Sequence, residues 1–194
     1  MKKVLIAVPV FEHIQNDCFK SIYGLAIPQG TVAQFDFCKG YDCALARNKI
    51  AQESIDYGFD YCFMVDSDII LPQYALIKLL EADKDVILGW YHRKRTVTNQ
   101  TEIFALGQYD FTDENNMYSN DIGLEVFEIK GGGMGCALIK TSVFTKPPYF
   151  KYVEYDDGSV LSEDNYFCSE FTKTGGKIYC HGEVKCGHIS DIIL

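Results

Sequence analysis

Apolar positions in the N-terminal half follow two rhythms that take turns along the chain. Residues 4–8 form an unbroken apolar run that reaches Pro9 and Val10. A run of this kind suits a central parallel strand, whose two faces are both covered by helices. Residues 16–25 set Cys18, Ile22 and Leu25 at helical spacing, and residues 29–37 return to a strand-like alternation. Residues 41–57 carry Ala44, Leu45, Ala51 and Ile55 as a helical stripe, with Gly58 where a helix-ending glycine belongs. Residues 59–65 predict a further buried strand, which Asp66-Ser67-Asp68 interrupts. Pro72 then predicts the first turn of a helix bearing Leu76, Leu79 and Leu80 on one face, and residues 85–91 predict a strand.

The second half is less regular. Residues 96–120 are rich in Asn, Asp and Thr with weak periodicity, which predicts a long surface excursion. Residues 125–130 and 135–140 predict short strands on either side of Gly131-Gly132-Gly133. Ser162 predicts the N-cap of a helix over residues 163–173, closed by Gly175-Gly176, with short strands at 177–180 and 183–188. Strand and helix alternate, so the fold class is α/β, a layered sheet with right-handed crossovers. With 194 residues, no repeat and no linker-like tract, the chain predicts one domain over 1–194.

Charge narrows the possible partners. A net charge of −9 argues against general nucleic-acid binding, which needs clustered positive charge. It leaves room for an anionic nucleotide bridged by a divalent cation. No apolar run reaches the length of a membrane span, and the run after Met1-Lys2-Lys3 is too short for an export leader. The expectation is a cytoplasmic protein whose eight cysteines are reduced. Cys180, His181, Cys186 and His188 lie close in sequence, but their spacing fits no usual zinc pattern.

The triplet carries the chemistry. Asp66 and Asp68 stand between Phe63-Met64-Val65 and Ile69-Ile70-Leu71. Ionised carboxylates in such surroundings are costly unless a cation or hydrogen bonds offset their desolvation. Hard oxygen ligands suit Mg²⁺ or Mn²⁺ bridging a diphosphate, and open α/β sheets bind ligands at the carboxyl ends of their strands. The plainer reading is a turn in which an aspartate caps its own backbone.

The chain resembles the GT-A class of glycosyltransferases, in particular small members related to glycosyltransferase family 2. The resemblance rests on the first strand with Pro9, on Ala46-Arg47-Asn48, on Asp66-Ser67-Asp68 and on Gly132-Gly133-Met134-Gly135-Cys136. It extends to Ser162-Glu163-Asp164 and to His188. It implies a three-layer α/β/α sandwich with a mostly parallel sheet and a small antiparallel element. It also implies transfer of a sugar from a nucleoside diphosphate-sugar, UDP favoured, to a hydroxyl acceptor. By the same resemblance Pro9, Val10, Arg47, Asn48, Asp66, Ser67 and Gly133 contact the donor. Asp66, Asp68 and His188 hold Mn²⁺ or Mg²⁺, and Asp164 is the base of an inverting reaction. At a helix start, Asp164 is expected to be held in its ionised form by the helix dipole. His92-Arg93-Lys94-Arg95 is the one dense basic patch, suited either to donor phosphates or to solvent, and Trp90 and Tyr91 suit a sugar wall or the core. Two other readings remain at this point. One is nucleotidyl transfer to a sugar phosphate, although residues 11–16 lack the glycine-rich basic loop that chemistry uses. The other is a nucleotide-sugar-binding module without catalysis.

Overall fold

The computed structural model describes residues 1–92, 94, 100–104, 117–119 and 122–189. The first half runs β1 (Lys2–Val10), α1 (Asn16–Tyr23), β2 (Thr31–Lys39), α2 (Cys43–Asp56), β3 (Tyr61–Val65), β4 (Ile69–Ile70), α3 (Ala75–Glu81) and β5 (Val86–Trp90). Five short strands follow: β6 (Gln100–Phe104), β7 (Met117–Ser119), β8 (Val126–Ile129), β9 (Gly131–Gly132) and β10 (Cys136–Lys140). A hairpin of β11 (Val153–Glu154) and β12 (Val160–Leu161) precedes α4 (Glu163–Lys173), β13 (Ile178–Lys185) and β14 (Gly187–His188).

Seven strands form the main sheet in the order β2-β1-β3-β10-β5-β13-β8. β1 is parallel to β2 and β3, and β5 is parallel to β13. β10 runs antiparallel between β3 and β5, and β8 lies antiparallel to β13 at one edge.

The unbroken apolar run of β1 is explained by what covers it. Leu5 and Ala7 join a core with Ile50 and Ala51 of α2 and Phe167 and Cys168 of α4. Val4, Ile6 and Val8 point the other way, into a core with Cys18 and Ile22 of α1 and Leu76 and Leu79 of α3. Successive residues on a strand face opposite sides, so a strand between two helical layers has no position left for a polar residue. Each fully buried Leu or Ile contributes about 1.5–3 kcal/mol, and this double burial fixes the layer order.

Local chemistry sets the element ends. The Asp42 carboxylate caps α2 by accepting from the Leu45 N–H at 3.0 Å, so the helix begins at Cys43, two residues after the expected start. Pro72 does not open α3. Its carbonyl accepts from the Ala75 N–H at 2.9 Å, and the helix begins there. Most of the 96–120 excursion lies outside the described residues, but what is described contains β6 and β7. These join β9, within the glycine run, in an antiparallel sheet ordered β7-β6-β9. The strands expected at 177–180 and 183–188 merge into β13 up to Lys185, with a register irregularity after Cys180, and Gly187–His188 stands apart as β14. Gly182 sits in that irregular stretch, where a side-chain Cβ would come within 1.7 Å of the Gly123 carbonyl oxygen. The smallest sheet matters most for the site. β4 and β14 pair antiparallel, with His188 opposite Ile69 and Gly187 opposite Ile70.

Candidate active site

β3 is buried along its whole length and ends at Val65, so Asp66 emerges at the carboxyl end of a central strand. The triplet makes a tight turn into β4, with the Ile69 N–H donating to the Asp66 carbonyl at 3.1 Å. The Asp66 N–H donates to the Gly135 carbonyl at 3.1 Å, and the Gln15 N–H to the Ser67 carbonyl at 2.9 Å. The Cys18 thiol adds a hydrogen bond to the Asp66 carbonyl. The plainer reading of the triplet as a turn is therefore correct for its backbone. Its side chains are committed elsewhere.

Each carboxylate meets a protein cation. Asp66 Oδ1 accepts from Arg47 Nη2 at 2.8 Å, and Asp68 Oδ2 is bonded to Lys94 Nζ. Both aspartate side chains are 28% exposed, but Arg47 is only 2% exposed. Burial works against the guanidinium's charge, yet Asp66, Glu163 and Asp164 outweigh it and hold Arg47 well above its ordinary value. Its Nε donates to Glu163 Oε1 at 3.3 Å, while Nη1 is buried with no hydrogen-bond partner among the described residues.

The β4–β14 pairing brings His188 to the same place. The Ile189 N–H donates to the Asp68 carbonyl at 2.9 Å, and His188 Nε2 stands 3.7 Å from Asp68 Oδ1. His188 Nδ1 lies 2.7 Å from the His92 carbonyl oxygen. A carbonyl has no proton to give, so Nδ1 is the donor and Nε2 is the atom turned toward the carboxylate. Orientation of a histidine through its other nitrogen is the arrangement metal-ligating imidazoles use. Tyr91 supports the ring edge-on, with centroids 5.0 Å apart. Among the described residues no three His, Cys, Asp or Glu side chains gather closely enough to form a metal-holding group. The donor types do fit Mn²⁺ or Mg²⁺, with Asp68 and His188 adjacent and Asp66 at the other end of the same turn.

The third acid lies at the start of α4. Ser162 occupies the N-cap, as expected, but its hydroxyl donates to Asp164 Oδ1 instead of capping the helix. The same oxygen accepts from the Asn165 N–H at 2.8 Å. Burial first, and then the Glu163 charge, pushes the Asp164 carboxyl above its ordinary value. The direction is opposite to the downward shift a helix start alone would give, because desolvation and a neighbouring like charge outweigh the dipole. Glu163 was not anticipated as a site residue. It is 7% exposed, accepts a hydrogen bond from Arg47 Nε, and lies beside Tyr152 and Cys43. Burial, ahead of the charges of Asp66 and Glu163, pushes the Cys43 thiol up to about 12.

Several expected donor contacts have other work here. Asn48 donates to the Ala44 and Phe150 carbonyls at 2.8 and 2.7 Å. Its Oδ1 accepts from the Tyr149 and Phe150 N–H groups at 2.7 and 3.1 Å. That uses the full hydrogen-bonding capacity of the amide, so Asn48 fastens the 149–150 segment to α2. Arg47 faces carboxylates, not an open pocket. Pro9 and Val10 end β1 beyond its pairing with β3, and the Val10 carbonyl accepts from the Gly40 N–H at 3.0 Å. Gly133 is buried just after β9. At Gly135 a Cβ would lie 2.7 Å from the Tyr91 hydroxyl and 3.0 Å from Asp66 Oδ2. Trp90 and Tyr91 belong to the core and form no sugar wall, being 7% and 4% exposed. Of the basic patch, Arg93 and Arg95 lie outside the described residues. Cys180 and Cys186 are buried free thiols, and all eight cysteines are free.

No protein-family model matches the chain, and neither does any curated protein. Solved structures do match. A197 from STIV aligns over 98% of this chain and 87% of its own length, with a TM-score of 0.65 at 18% identity. GalNAc-T7, solved with UDP, GalNAc and Mn²⁺, aligns over 95% of this chain and 44% of its own length, with a TM-score of 0.58 at 10% identity. The chain thus spans less than half of GalNAc-T7. The likeness establishes the fold: a GT-A-like α/β architecture with a large, mostly parallel sheet and small antiparallel sheets.

Proposed function

We propose that this protein transfers a sugar from a nucleoside diphosphate-sugar, with UDP as the favoured nucleotide, to a hydroxyl-bearing acceptor. The observation that carries this reading is the Asp66-Ser67-Asp68 turn at the carboxyl end of β3, with His188 Nε2 turned toward Asp68 Oδ1 at 3.7 Å, in a GT-A-like fold. The neighbour holding UDP and Mn²⁺ favours that nucleotide and cation.

Asp68 and His188, with Asp66 at the other end of the turn, would hold the divalent cation. When bound, that ion supplies Lewis-acid stabilisation of the charge on the departing diphosphate. Arg47 orients Asp66 through a 2.8 Å hydrogen bond. The Gly135 and Gln15 backbone contacts hold the turn fixed, so the carboxylates need no rearrangement. On the acceptor side, one oxygen of Asp164 is fixed by Ser162 and Asn165. The carboxylate takes the acceptor hydroxyl proton as that oxygen bonds to the anomeric carbon. The bond from carbon to the diphosphate oxygen breaks, and its electron pair leaves with the nucleoside diphosphate. A carboxyl raised above its ordinary value is a better match for a general base near neutral pH. Attack from the side opposite the leaving group inverts the sugar.

The test is release of UDP from a panel of UDP-sugars with Mn²⁺, each offered with simple sugar and alcohol acceptors. Release that requires Mn²⁺ and disappears in Asp68→Ala supports the reading. Absence of release from every donor, or formation of pyrophosphate from UTP and a sugar phosphate instead, refutes it.

A further inference from the structure

Glu163 lies beside the proposed base, yet its carboxylate faces inward. α2 supplies Arg47 Nε at 3.3 Å, with Cys43 of α2 and Tyr152 of the segment before β11 beside it. The same guanidinium reaches Asp66 Oδ1 through a different nitrogen at 2.8 Å. One buried cation therefore spans a carboxylate at the end of β3 and a carboxylate on the first turn of α4. These two residues are 97 positions apart in sequence, from 66 to 163. A planar guanidinium with fixed donor directions holds two carboxylates at a set separation, which a lysine ammonium does not do.

We propose that Glu163 is a positioning residue: acting through Arg47, it fixes the distance between the donor-side turn at Asp66 and the acceptor-side helix that carries Asp164. The inference rests on the glycosyltransferase reading. It gives Arg47 a role different from nucleotide contact, as its burial requires. The bridge makes Glu163 matter for turnover more than for donor capture, because Glu163 reaches the cation-holding residues only at Asp66 and only through Arg47. Its charge also acts on the base directly. The groups that face Asp164 are Glu163 and Cys168 on its own helix, the Ser162 hydroxyl, the Asn165 N–H and Arg47 from α2.

The experiment compares wild type with Glu163→Gln, which keeps the shape and the Arg47–Asp66 pair, and with Arg47→Lys, which keeps charge without the fork. Calorimetric binding of UDP with Mn²⁺, the donor KM, kcat and the pH profile of kcat/KM are measured for each. For Glu163→Gln the expected result is a UDP affinity within about twofold of wild type and a kcat at least tenfold lower. Its acid limb moves to lower pH, because the like charge that raises the Asp164 carboxyl is gone. Arg47→Lys is expected to lose kcat to at least the same degree. An unchanged kcat in Glu163→Gln overturns the inference. So does a loss of kcat with no shift of the acid limb, or with equal loss of UDP affinity, since either marks a merely structural residue. Wild-type activity in Arg47→Lys overturns it as well. A wild-type protein that releases no UDP from any donor removes the glycosyltransferase reading, and this inference with it.

Discussion

Asp66 and Asp68 sit two residues apart, are equally exposed at 28%, and each holds a protein cation, yet their settings differ in kind. Asp66 is tied to a guanidinium that is 2% exposed and shared with a second buried carboxylate. Asp68 is tied to a lysine that is 34% exposed and faces a histidine whose other nitrogen is anchored. The first pairing is part of the fold. The second is exchangeable, because a flexible, partly solvated ammonium gives way to a stronger cation at little conformational cost. An acidic motif of two like residues thus divides its work: one anchors the turn and the other stays available.

The largest expected effect tests that division. Asp66→Asn leaves Arg47 buried with a weakened partner and should cost about 3 kcal/mol of stability, while Asp68→Asn should cost less than about 1 kcal/mol. Denaturant unfolding measures both, and equal losses would erase the distinction.

Asp164 extends the comparison, since one of its oxygens is held by neutral donors and its carboxyl is raised. Asp164→Asn should lower transfer by about 10²-fold or more while UDP binding persists. The sign for stability follows from the direction of the shift. A carboxyl raised in the folded state destabilises the fold above its folded pKa, and that penalty fades as pH falls through it. Removing the charge should therefore raise the Tm at neutral pH, by about 2–4 °C. In wild type, the acid limb of transfer should lie above the ordinary aspartate value of 3.8. A limb at or below that value would contradict the desolvated setting.

Smaller effects probe the exchangeable side. His188→Ala should weaken Mn²⁺ binding roughly tenfold, read by titration of the free ion. Lys94→Met should strengthen it by about twofold to fivefold, because Asp68 loses a competing cation of modest strength. A weaker Mn²⁺ affinity in Lys94→Met would place the lysine among the groups that assist the ion.

Much of this arrangement was legible in the sequence where local rules decide it. The run through residues 4–8 announced a strand covered on both faces, and α4 keeps the expected limits of 163–173 although the Ser162 hydroxyl caps no helix N–H. Asp66-Ser67-Asp68 stood out because charge in apolar surroundings demands a partner. What stayed hidden depends on contacts between distant segments. The resemblance alone set His188 beside Asp68; the two strands of two residues each that bring it there are too short to leave a periodic signal. Glu163 drew no role of its own from the sequence, because the residues around it, Arg47, Cys43 and Tyr152, all lie outside its helix. Asn48 sat beside Arg47 in a segment that suggested ligand contact, and only the fold shows that the 149–150 backbone occupies its amide.

The central claim is that the Asp66-Ser67-Asp68 turn binds a nucleoside diphosphate through a divalent cation. Calorimetric titration of UDP, with and without Mn²⁺, into wild type and Asp68→Ala tests it most directly. The expected result is UDP binding by wild type that requires Mn²⁺ and is lost in Asp68→Ala, with both proteins folded. UDP binding that is indifferent to Mn²⁺, or retained at full strength in Asp68→Ala, would contradict it, as would no binding by wild type under either condition.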